Sequence, residues 1–336
     1  MTNSFSFKLN ELSLTEIIRL QNQISKTLNN RFGRHESLAF SDIVGSTSYF
    51  ARFGDEAGRR LQQQHSDLIN ESINKAQGQI VDTAGDSALI AFPTMESAIQ
   101  SFLQFKQLLQ HCNFQLPPEQ QWTTRTGIHW GMVLTDGIIH TGDSVNLCAK
   151  ISSVAQSGKI LLSKAAFNEL SNFLRLACRP IGPVTLPSTS QSIEILELLW
   201  QDLLMIPSTL HIEETRIVLP LPDQPVVNFG RLATSNGSKS NDIVLELPDP
   251  LLTNRISRWH FELLKTKDGL VLHNLSDKLT EVDGQSLSQG SCVPIKIGSC
   301  VRLAGVITLR FLTYMDFMNK TDKTTIKSKS SITHPI

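Results

Sequence analysis

Two aspartates lie where an apolar stretch of strand type meets a turn of small residues. Asp42 is close to the end of the apolar run 38–43 and is followed by the turn 45–47. Asp86 directly precedes a second apolar run, 87–92. If the two strands are neighbours, their carboxylates meet at one end of a sheet, and both stay ionised only when a cation joins them. Oxygen ligands of this kind suit Mg²⁺ or Mn²⁺.

The turn after Asp42 has a chemistry of its own. It consists of Gly45, Ser46 and Thr47, and the free backbone N–H groups of such a turn suit an anion such as a phosphate. Asp42 would then be a metal ligand beside a bound phosphate. A second interpretation needs no ligand, because an aspartate here can also cap the helix that follows. This stretch alone leaves both open, whereas the second aspartate, Asp86, favours the metal site.

The composition bounds the class of protein. The chain has 336 residues with 31 basic and 31 acidic side chains, which predicts about two domains and argues against a nucleic-acid binder, because such a protein carries a basic excess. The five cysteines show no C-x-x-C spacing, which favours reduced thiols over zinc ligands. No apolar run approaches the roughly 20 residues that span a bilayer, and no signal segment begins the chain. We therefore expect a cytoplasmic protein that does not contact a membrane.

Helices and strands alternate through the first part of the chain. An amphipathic helix is predicted over 12–28, with Ser13 as its N-cap; it either mediates dimerisation or signal relay, or packs on its own domain. A helix over 48–77, a strand, turn and strand over 79–92, and a strand over 123–134 follow. The alternation predicts an α/β or α+β domain.

The remainder of the chain has a different residue pattern. Prolines at 207, 220, 222 and 225 indicate a stiff linker. Short apolar runs between Gly, Asn, Asp and Ser turns then predict a β-sandwich, and the polar end of the chain is expected to be disordered. The predicted segments are an N-terminal helix (1–35), an α/β domain (36–200), a proline-rich linker (201–225), an all-β domain (226–313) and a tail (314–336).

Four motifs of the first domain resemble, in order, those of the class III adenylate/guanylate cyclase catalytic domain. They are FSDIVGST at 40–47, TAGD at 83–86, RTGIHWG at 125–131 and GDSVNLCAK at 142–150. Each motif is weak alone, and their common order gives the match its strength. The resemblance implies a ferredoxin-like α/β (α+β) fold and a homodimer whose protomers share the active sites.

The resemblance also implies a role for each motif residue. A nucleoside triphosphate would react by attack of its ribose 3′-hydroxyl on the α-phosphate, with release of pyrophosphate. Asn146 of the other protomer would orient the ribose. The remaining implied ligands are Asp42, Asp86 and the Ile43 carbonyl for two cations, Mg²⁺ or Mn²⁺, and Gly45, Ser46, Thr47 and Arg125 for the triphosphate.

Three positions depart from the family pattern. Asp82 occupies the place of the family's adenine-selecting Lys, Ile139 that of its partner Asp, and Lys150 that of the transition-state Arg. Lys150 keeps the positive charge but lacks the planar fork of a guanidinium. Ionised Asp82 only accepts hydrogen bonds, which favours a base with an exocyclic amine. ATP is the expected substrate, although the residues leave the choice of base open.

Four segments of the second domain resemble a forkhead-associated (FHA) domain, a β-sandwich that binds phosphothreonine peptides. They are FGR at 229–231, NDIVL at 241–245, ISRWH at 256–260 and VDG at 282–284. The resemblance implies that Arg231 and Ser257 hold the phosphate with the help of Arg258, and an arginine beside a hydroxyl suits a phosphate dianion. The segment 277–281 lacks the Asn that holds the peptide backbone in that family.

Two functions follow from these patterns. The first is a metal-dependent nucleotide cyclase in signal transduction, regulated by a phosphothreonine protein or peptide at the FHA-like domain. The alternative is a catalytically degenerate cyclase fold that acts as a nucleotide sensor or dimer scaffold beside the same phosphothreonine-binding module. The retained aspartates and Asn146 favour the enzyme, and the three departures favour the alternative.

Overall fold

A computed structural model describes residues 12–74, 76–187, 192–222, 224–235, 237–266 and 269–316. The chain divides into two compact units, Met1–Leu198 and Leu199–Ile336. Within the described ranges, every helix is too short or too polar to cross a membrane. The five cysteines are free thiols.

The first unit alternates helices with strands, as predicted. Its elements are α1 (Leu14–Phe32), β1 (Gly33–Ile43), α2 (Ser46–Ile73), β2 (Gln79–Ala84), β3 (Ser87–Phe92), α3 (Met95–Phe114), β4 (Thr124–Thr135), β5 (His140–Thr141), α4 (Asp143–Ser153), β6 (Ile160–Ser163), α5 (Lys164–Glu169), α6 (Asn172–Leu176), β7 (Cys178–Thr185) and β8 (Ser192–Leu198).

The strands of this unit form one sheet in the order β2-β3-β1-β4-β6-β8-β7, and β5 pairs with β4. The pairs β2–β3, β3–β1 and β1–β4 are antiparallel. With α2 between β1 and β2 and α3 between β3 and β4, these four strands have the βαββαβ order of a ferredoxin-like fold. The mixed α/β architecture that the sequence predicted is therefore present.

The two central strands are apolar on both faces. Leu38 and Ala39 of β1 are fully buried, and β3 is buried from Ala88 to Phe92. Such strands need cover on both sides of the sheet. Helices α2 and α3 supply part of it through buried residues such as Ile69 and Phe102. Asp42 and Asp86 thus lie at the ends of two buried strands.

Helix α1 begins at Leu14 with the predicted Ser13 cap. The Ser13 hydroxyl accepts the Glu16 N–H, and the Glu16 carboxylate accepts the Ser13 N–H at 2.9 Å, which together form a capping box. None of the residues of α1 is buried, and Leu14 is 74% exposed. The apolar stripe is therefore not covered by the domain to which α1 belongs, contrary to the second interpretation given above.

The second unit is built almost entirely of strands. Its elements are α7 (Trp200–Met205), β9 (Thr209–Ile212), β10 (Ile217–Pro220), β11 (Val226–Gly230), β12 (Thr234–Ser235), β13 (Ser238–Lys239), β14 (Ile243–Val244), α8 (Pro250–Thr253), β15 (Phe261–Thr266), β16 (Gly269–Asn274), β17 (Thr280–Val282), β18 (Gln285–Ser286), β19 (Cys292–Ile295), β20 (Cys300–Leu303) and β21 (Ile307–Leu312).

Two larger sheets pack face to face in this unit. One has the order β10-β9-β21-β20-β17-β18 and the other β14-β11-β15-β16-β19. A single apolar core joins them, with Leu309 and Phe311 from the first sheet and Phe229 and Phe261 from the second. The rings of Phe229 and Phe261 are stacked at 4.3 Å between centroids. The predicted all-β sandwich is therefore present.

The linker predicted over 201–225 is wrong for most of its length. Residues 200–205 form α7, and β9 and β10 form a hairpin that pairs with β21 of the sandwich. The prolines misled the prediction because β10 is an edge strand, where a proline such as Pro220 costs no ladder hydrogen bond. The predicted disordered tail begins too early, since Tyr314 and Met315 are buried; its residues 317–336 lie outside the described part.

Candidate active site

Asp42 lies near the end of the central strand β1, between two neighbours. In the register of the sheet it is paired with Ser87 of β3 on one side and with Arg125 of β4 on the other. The sequence order did not reveal this arrangement, because Ser87 and Arg125 come from distant parts of the chain. The sheet therefore surrounds the Asp42 carboxylate with one hydroxyl and one guanidinium.

Both oxygens of the Asp42 carboxylate have protein partners. The Ser87 hydroxyl donates to Oδ1 at 2.8 Å. Arg125 donates to Oδ2 through Nε at 2.8 Å and through Nη2 at 2.6 Å. The Asp42 side chain is 14% exposed and that of Arg125 is 37% exposed. Hydrogen bonds between charged groups at such distances are among the stronger ones.

Gly45, rather than Asp42, caps helix α2. Gly45 has φ +74°, in the left-handed region that glycine adopts at little cost. It has no side chain to accept from the first turn of α2, which begins at Ser46. The helix-cap interpretation of Asp42 is therefore wrong. The turn leaves the N-terminus of a long helix beside Asp42, and exposed Thr47 borders it.

Asp86 reaches the same end of the sheet as Asp42. It is half-buried and directly precedes Ser87, the residue paired with Asp42. Continuing that register places Asp86 opposite Ile43, the residue after Asp42. The two carboxylates are thus brought to the ends of adjacent strands, as the sequence predicted for neighbouring strands. Ile43, whose carbonyl the family resemblance adds as a ligand, lies at the same end.

These donors fit a magnesium or manganese ion. Both metals prefer carboxylate and carbonyl oxygens, and Mg²⁺ commonly binds to one or two carboxylates plus substrate phosphates. Among the described residues, the structure contains no cluster of three or more His, Cys, Asp or Glu side chains that could hold a metal alone. The protein would therefore supply only part of the coordination. The Arg125 guanidinium balances the Asp42 charge.

Helix α4 carries Asn146 and Lys150 on one face. Its opposite face packs on the sheet through Ser144, Cys148 and Ser152, and the Cys148 thiol is 3.2 Å from the Leu38 carbonyl oxygen. Asn146 is exposed and Lys150 is half-buried. Residues four apart are neighbours on a helix surface, so these two side chains form a pair directed away from the sheet.

Gly127 of β4 makes this packing of α4 achievable. A Cβ atom at Gly127 would overlap the backbone nitrogen of Ser152. The helix therefore approaches the strand more closely than any other residue type would allow. At the C-terminal end of α4, the Ser153 carbonyl accepts from Arg125 Nη1 at 3.3 Å. Arg125 thus contacts both the end of β1 and the end of α4.

The two positions assigned to base selection lie on different elements. Asp82 is exposed on β2, at an irregularity of its register with β3, and its Oδ1 accepts the Thr83 N–H at 2.8 Å. Ile139 is 64% exposed in the turn between β4 and β5. In that turn Asp136 accepts the Ile139 N–H at 2.9 Å, so the turn is ordered by its own hydrogen bonds.

The sequence analysis missed two residues next to the carboxylates. Ser87 contacts Asp42 directly. The feature of the sequence that could have indicated this residue is its hydroxyl immediately after Asp86. His65 of α2 is 3% exposed, with Nε2 3.1 Å from the hydroxyl of Ser41. The feature of the sequence that could have indicated His65 is its position on the apolar stripe of α2, where a histidine interrupts the run of apolar residues.

In the second unit, the residues assigned to phosphate binding lie close together. Arg231 follows β11, and its N–H donates to the Ser257 carbonyl at 3.0 Å. The Ser257 hydroxyl is 2.6 Å from that of Ser276. Within the described residues, Arg231 Nε is buried without a hydrogen-bond partner. Arg258 lies 5.8 Å from the ring centre of Trp259.

Buried polar side chains hold these loops in place. Asn241 donates to the carbonyls of Leu232 and Arg258, both at 2.8 Å. His260 Nδ1 accepts the Ser257 N–H at 3.2 Å, and its Nε2 lies 3.1 Å from the Thr280 hydroxyl. Burial lowers the pKa of His260 to about 4, so the ring is neutral at physiological pH. The hydrogen bonds of Asn241 and His260 therefore stabilise the loop that carries Ser257.

Comparison with known proteins adds to this geometry. Residues 33–195, just under half of the chain, match the family model of the adenylate and guanylate cyclase catalytic domain. The matched stretch lies within the first unit. It contains the four motifs of that unit, so the class III cyclase catalytic domain that they resemble is supported for this region.

Curated relatives match over the same region. An adenylate cyclase of Lachancea kluyveri is 27% identical over 193 residues, which cover 50% of this chain and 10% of the relative. One of Glutamicibacter nicotianae is 29% identical over 140 residues, 41% of this chain and 33% of the relative. The serine/threonine-protein kinase pkn2 of Myxococcus xanthus is 22% identical over 159 residues, which cover 47% of this chain and 19% of the relative. The chain thus spans a third or less of these relatives.

Solved structures of cyclases also align with part of the chain. An adenylate cyclase of Trypanosoma brucei in its monomeric state is 22% identical with a TM-score of 0.42, over 49% of this chain and 90% of the other. An adenylate/guanylate cyclase/hydrolase of Silicibacter pomeroyi is 23% identical with a TM-score of 0.43, over 49% of this chain and 96% of the other.

Proposed function

We propose that residues 33–195 form the catalytic domain of a nucleotide cyclase, which converts a nucleoside triphosphate into its 3′,5′-cyclic monophosphate and pyrophosphate. The observation that carries the proposal is the placement of Asp42, Asp86 and the Ile43 carbonyl at one end of adjacent strands, inside a region that matches the cyclase family model. Relatives named adenylate cyclase favour ATP as the substrate.

Each group of residues would have its own role in this reaction. Two divalent cations, when bound, would activate the ribose 3′-hydroxyl and balance the charge of the triphosphate. Asp42, Asp86 and the Ile43 carbonyl would hold them. The N-terminus of α2 has Gly45 as its N-cap and no side-chain cap. It therefore favours an anion, because free N–H groups and the helix dipole meet there. It would receive the phosphates, while the 3′-oxygen bonds to the α-phosphorus and pyrophosphate leaves.

The face of α4 supports a shared site in a homodimer. Asn146 and Lys150 point away from the sheet that carries Asp42, so they are well placed to reach a second copy. There Asn146 would orient the ribose, and Lys150 would stabilise negative charge on the α-phosphate. Lysine does so as a point charge, without the bidentate geometry of arginine, which predicts a slow enzyme.

The Arg125 contact favours a second candidate, a nucleotide sensor without turnover. Arg125 makes two hydrogen bonds to one oxygen of Asp42, and a cation must share this carboxylate or displace the guanidinium. If the displacement is unfavourable, the domain would bind a nucleotide without completing the metal site. Catalysis and nucleotide binding are therefore to be measured separately.

The test is a cyclase assay on the full chain. Purified protein is incubated with ATP, GTP, CTP or UTP and either Mn²⁺ or Mg²⁺, and cyclic product is quantified by mass spectrometry. We expect cyclic AMP with Mn²⁺. Asp42→Asn and Asp86→Asn should each reduce the rate at least about a hundredfold, the upper end of the effect of changing an outer partner of a metal ligand.

Asp67→Asn is the matched control, because Asp67 is an exposed carboxylate on α2 whose partner is Gln63 at 2.8 Å. It should keep the wild-type rate. Nucleotide binding without cyclic product for any of the four substrates would favour the sensor and remove the enzyme proposal.

For the second unit we propose that a phosphothreonine peptide binds at Arg231, Ser257 and Arg258 and regulates the cyclase. The buried, unpaired Nε of Arg231 supports this, because a buried donor without a partner is costly unless a ligand supplies one. The Ser257 hydroxyl nearby would add a second donor. A phosphate dianion is the ligand that suits both groups.

The peptide proposal is tested by fluorescence anisotropy with a library of phosphothreonine peptides. Arg231→Ala should weaken the best peptide at least about tenfold, which corresponds to one lost charge-assisted hydrogen bond. Arg302→Ala serves as the control, since Arg302 is exposed on β20. Equal affinity for phosphorylated and unphosphorylated peptides would contradict the proposal.

A further inference from the structure

Arg125 binds the carboxylate that is the first candidate metal ligand. Its Nε and Nη2 both donate to Oδ2 of Asp42, at 2.8 and 2.6 Å, and its Nη1 donates to the Ser153 carbonyl at 3.3 Å. The Asp42 side chain is 14% exposed. Water therefore screens this ion pair only in part, which makes it stronger than a pair on the open surface.

The two carboxylates of the candidate site differ in the charge beside them. Asp42 has the guanidinium of Arg125 within hydrogen-bond distance, whereas Asp86 has no ion-pair partner in the part of the chain that the structure describes. A divalent cation that binds both carboxylates therefore meets the positive charge of Arg125 at Asp42. Like charges at such a separation repel each other, so Arg125 opposes the metal at one of its two ligands.

The guanidinium can leave Asp42 without a movement of the sheet. The backbones of Arg125 and Asp42 are paired across β4 and β1, but the Arg125 side chain is 37% exposed. Rotation about the bonds of that side chain is therefore sufficient. The Ser87 hydroxyl donates to the other oxygen of Asp42, Oδ1, at 2.8 Å, so the carboxylate keeps one partner when the guanidinium leaves.

A bound triphosphate would offer the guanidinium a second anion. The proposed phosphate site is the N-terminus of α2, and the turn before this helix adjoins β4, because the Val44 N–H donates to the Thr123 carbonyl at 2.9 Å. Thr123 is two residues before Arg125 in the chain. A guanidinium binds phosphate and carboxylate groups with the same bidentate geometry, so a phosphate there can replace Asp42 as the partner of Arg125.

We propose that Arg125 regulates the candidate metal site. It opposes the binding of a divalent cation at Asp42, and a triphosphate relieves this opposition by attracting the guanidinium. The protein would then bind the metal weakly by itself and more tightly together with a nucleotide. The identity of the two ligands rests on the proposed function, whereas the inference itself requires binding and no turnover.

The test compares Arg125→Gln, Arg125→Lys and Arg179→Gln in the full chain. Glutamine removes the charge of Arg125 and keeps an amide that can donate to Asp42, and lysine keeps the charge. Arg179 provides the control, because it forms an ion pair of the same length, 2.6 Å, with Glu197 in the same unit. Mn²⁺ affinity is measured by electron paramagnetic resonance with the metal alone, and thermal unfolding in parallel shows that each variant is folded.

We expect Arg125→Gln to bind Mn²⁺ about tenfold more tightly than wild type, because the repelling charge is gone and solvent screens it only in part. Arg125→Lys and Arg179→Gln should bind it like wild type. Unchanged or weaker binding by Arg125→Gln, or an equal gain in either of the other variants, would overturn the inference. So would the absence of binding in both wild type and Arg125→Gln at millimolar Mn²⁺.

A second measurement uses the wild-type protein without metal or turnover. Heteronuclear NMR follows the Nε–H group of Arg125, assigned by its absence in Arg125→Lys, while ATP is added in the presence of EDTA. The Arg125 resonance should shift as the guanidinium changes its partner, and that of Arg179 should stay in place. An Arg125 resonance that does not move, or a protein that binds no metal-free ATP at millimolar concentration, would overturn the inference.

Failure of the inference and failure of the proposed function can be told apart. A protein that shows the expected Mn²⁺ affinities and the expected shift of Arg125, but forms no cyclic nucleotide, would remove the proposed enzyme and leave the role of Arg125 intact. A protein that forms cyclic nucleotide while Arg125→Gln binds Mn²⁺ like wild type would do the reverse.

Discussion

At the scale of single residues, the state of Asp42 decides between the enzyme and the sensor. Its Oδ2 is held by Arg125 and its Oδ1 by Ser87. Each carboxylate oxygen can accept two hydrogen bonds or ligands, so one hydroxyl on Oδ1 leaves room for a cation. A metal ion can therefore bind Asp42 on the Ser87 side while Arg125 stays in place, at the cost of repulsion between two cations.

Lys150 is the residue at which a single substitution should raise the rate. Lys150→Arg would restore a planar, bidentate donor to the position that faces the α-phosphate in the proposed dimer. Arginines in this role contribute several orders of magnitude in phosphoryl transfer, and we expect at least about a tenfold increase in the turnover number with a small change in KM.

The measurement is steady-state cyclase kinetics with Mn²⁺-ATP. Lys159→Arg provides the control, because Lys159 pairs with Glu197 at 2.5 Å in a structural ion pair. An unchanged rate for Lys150→Arg would place Lys150 outside the active site.

At the scale of elements, the sequence predicted what local patterns determine. The apolar run of β3, the Ser13 cap of α1 and the strand over β4 all follow from periodicity and capping, and the structure confirms them. The hairpin of β9 and β10 was missed because prolines suggest a linker unless the strand is known to be an edge.

The site was predictable only in part, for a related reason. The Asp42 and Asp86 motifs could be recognised because each is contiguous in the chain. The partners of Asp42 could not, because register across a sheet decides that Ser87 and Arg125 flank it. His65 was hidden in the same way, since its contact with Ser41 depends on how α2 packs over the sheet.

Helix α1 presents the clearest unpartnered surface among the described elements. Leu14, Ile17, Ile24 and Leu28 recur at spacings of three, seven and four residues and are all at least 40% exposed. With Gln21 between them, the spacing fits alternating a and d positions of a short coiled coil. We predict that this helix pairs with its copy in the proposed homodimer.

Ile17→Glu together with Ile24→Glu should therefore shift the protein towards monomer in sedimentation velocity experiments and lower any cyclase activity, since a shared site needs two copies. Gln23→Glu, on an exposed part of α1 outside the stripe, should change neither. If the double variant remains as dimeric as wild type, dimerisation does not depend on α1.

At the scale of the whole molecule, both units bury neutral histidines. Burial lowers the pKa of His65 and His129 in the first unit, and of His260 in the second, from 6.5 to about 4. Each of these histidines therefore binds a proton more tightly in the unfolded chain than in the folded one. The stability from neutral burial is complete above pH 6.5 and is lost as the pH falls towards 4.

We predict that both units become less stable between pH 6.5 and 4, and that the histidines make the first unit the more sensitive. Each histidine contributes at most about 1.4 kcal/mol per pH unit in this window, and the first unit has two of them against one. Urea unfolding at pH 7, 6 and 5 measures the slope for each unit, with tryptophan fluorescence reporting on Trp122 and Trp130 in the first and on Trp200 and Trp259 in the second. His129→Phe should make the first transition less dependent on pH, because it removes one of the two protons taken up on unfolding. The same slope in wild type and in this variant would show that His129 does not titrate between the folded and unfolded states.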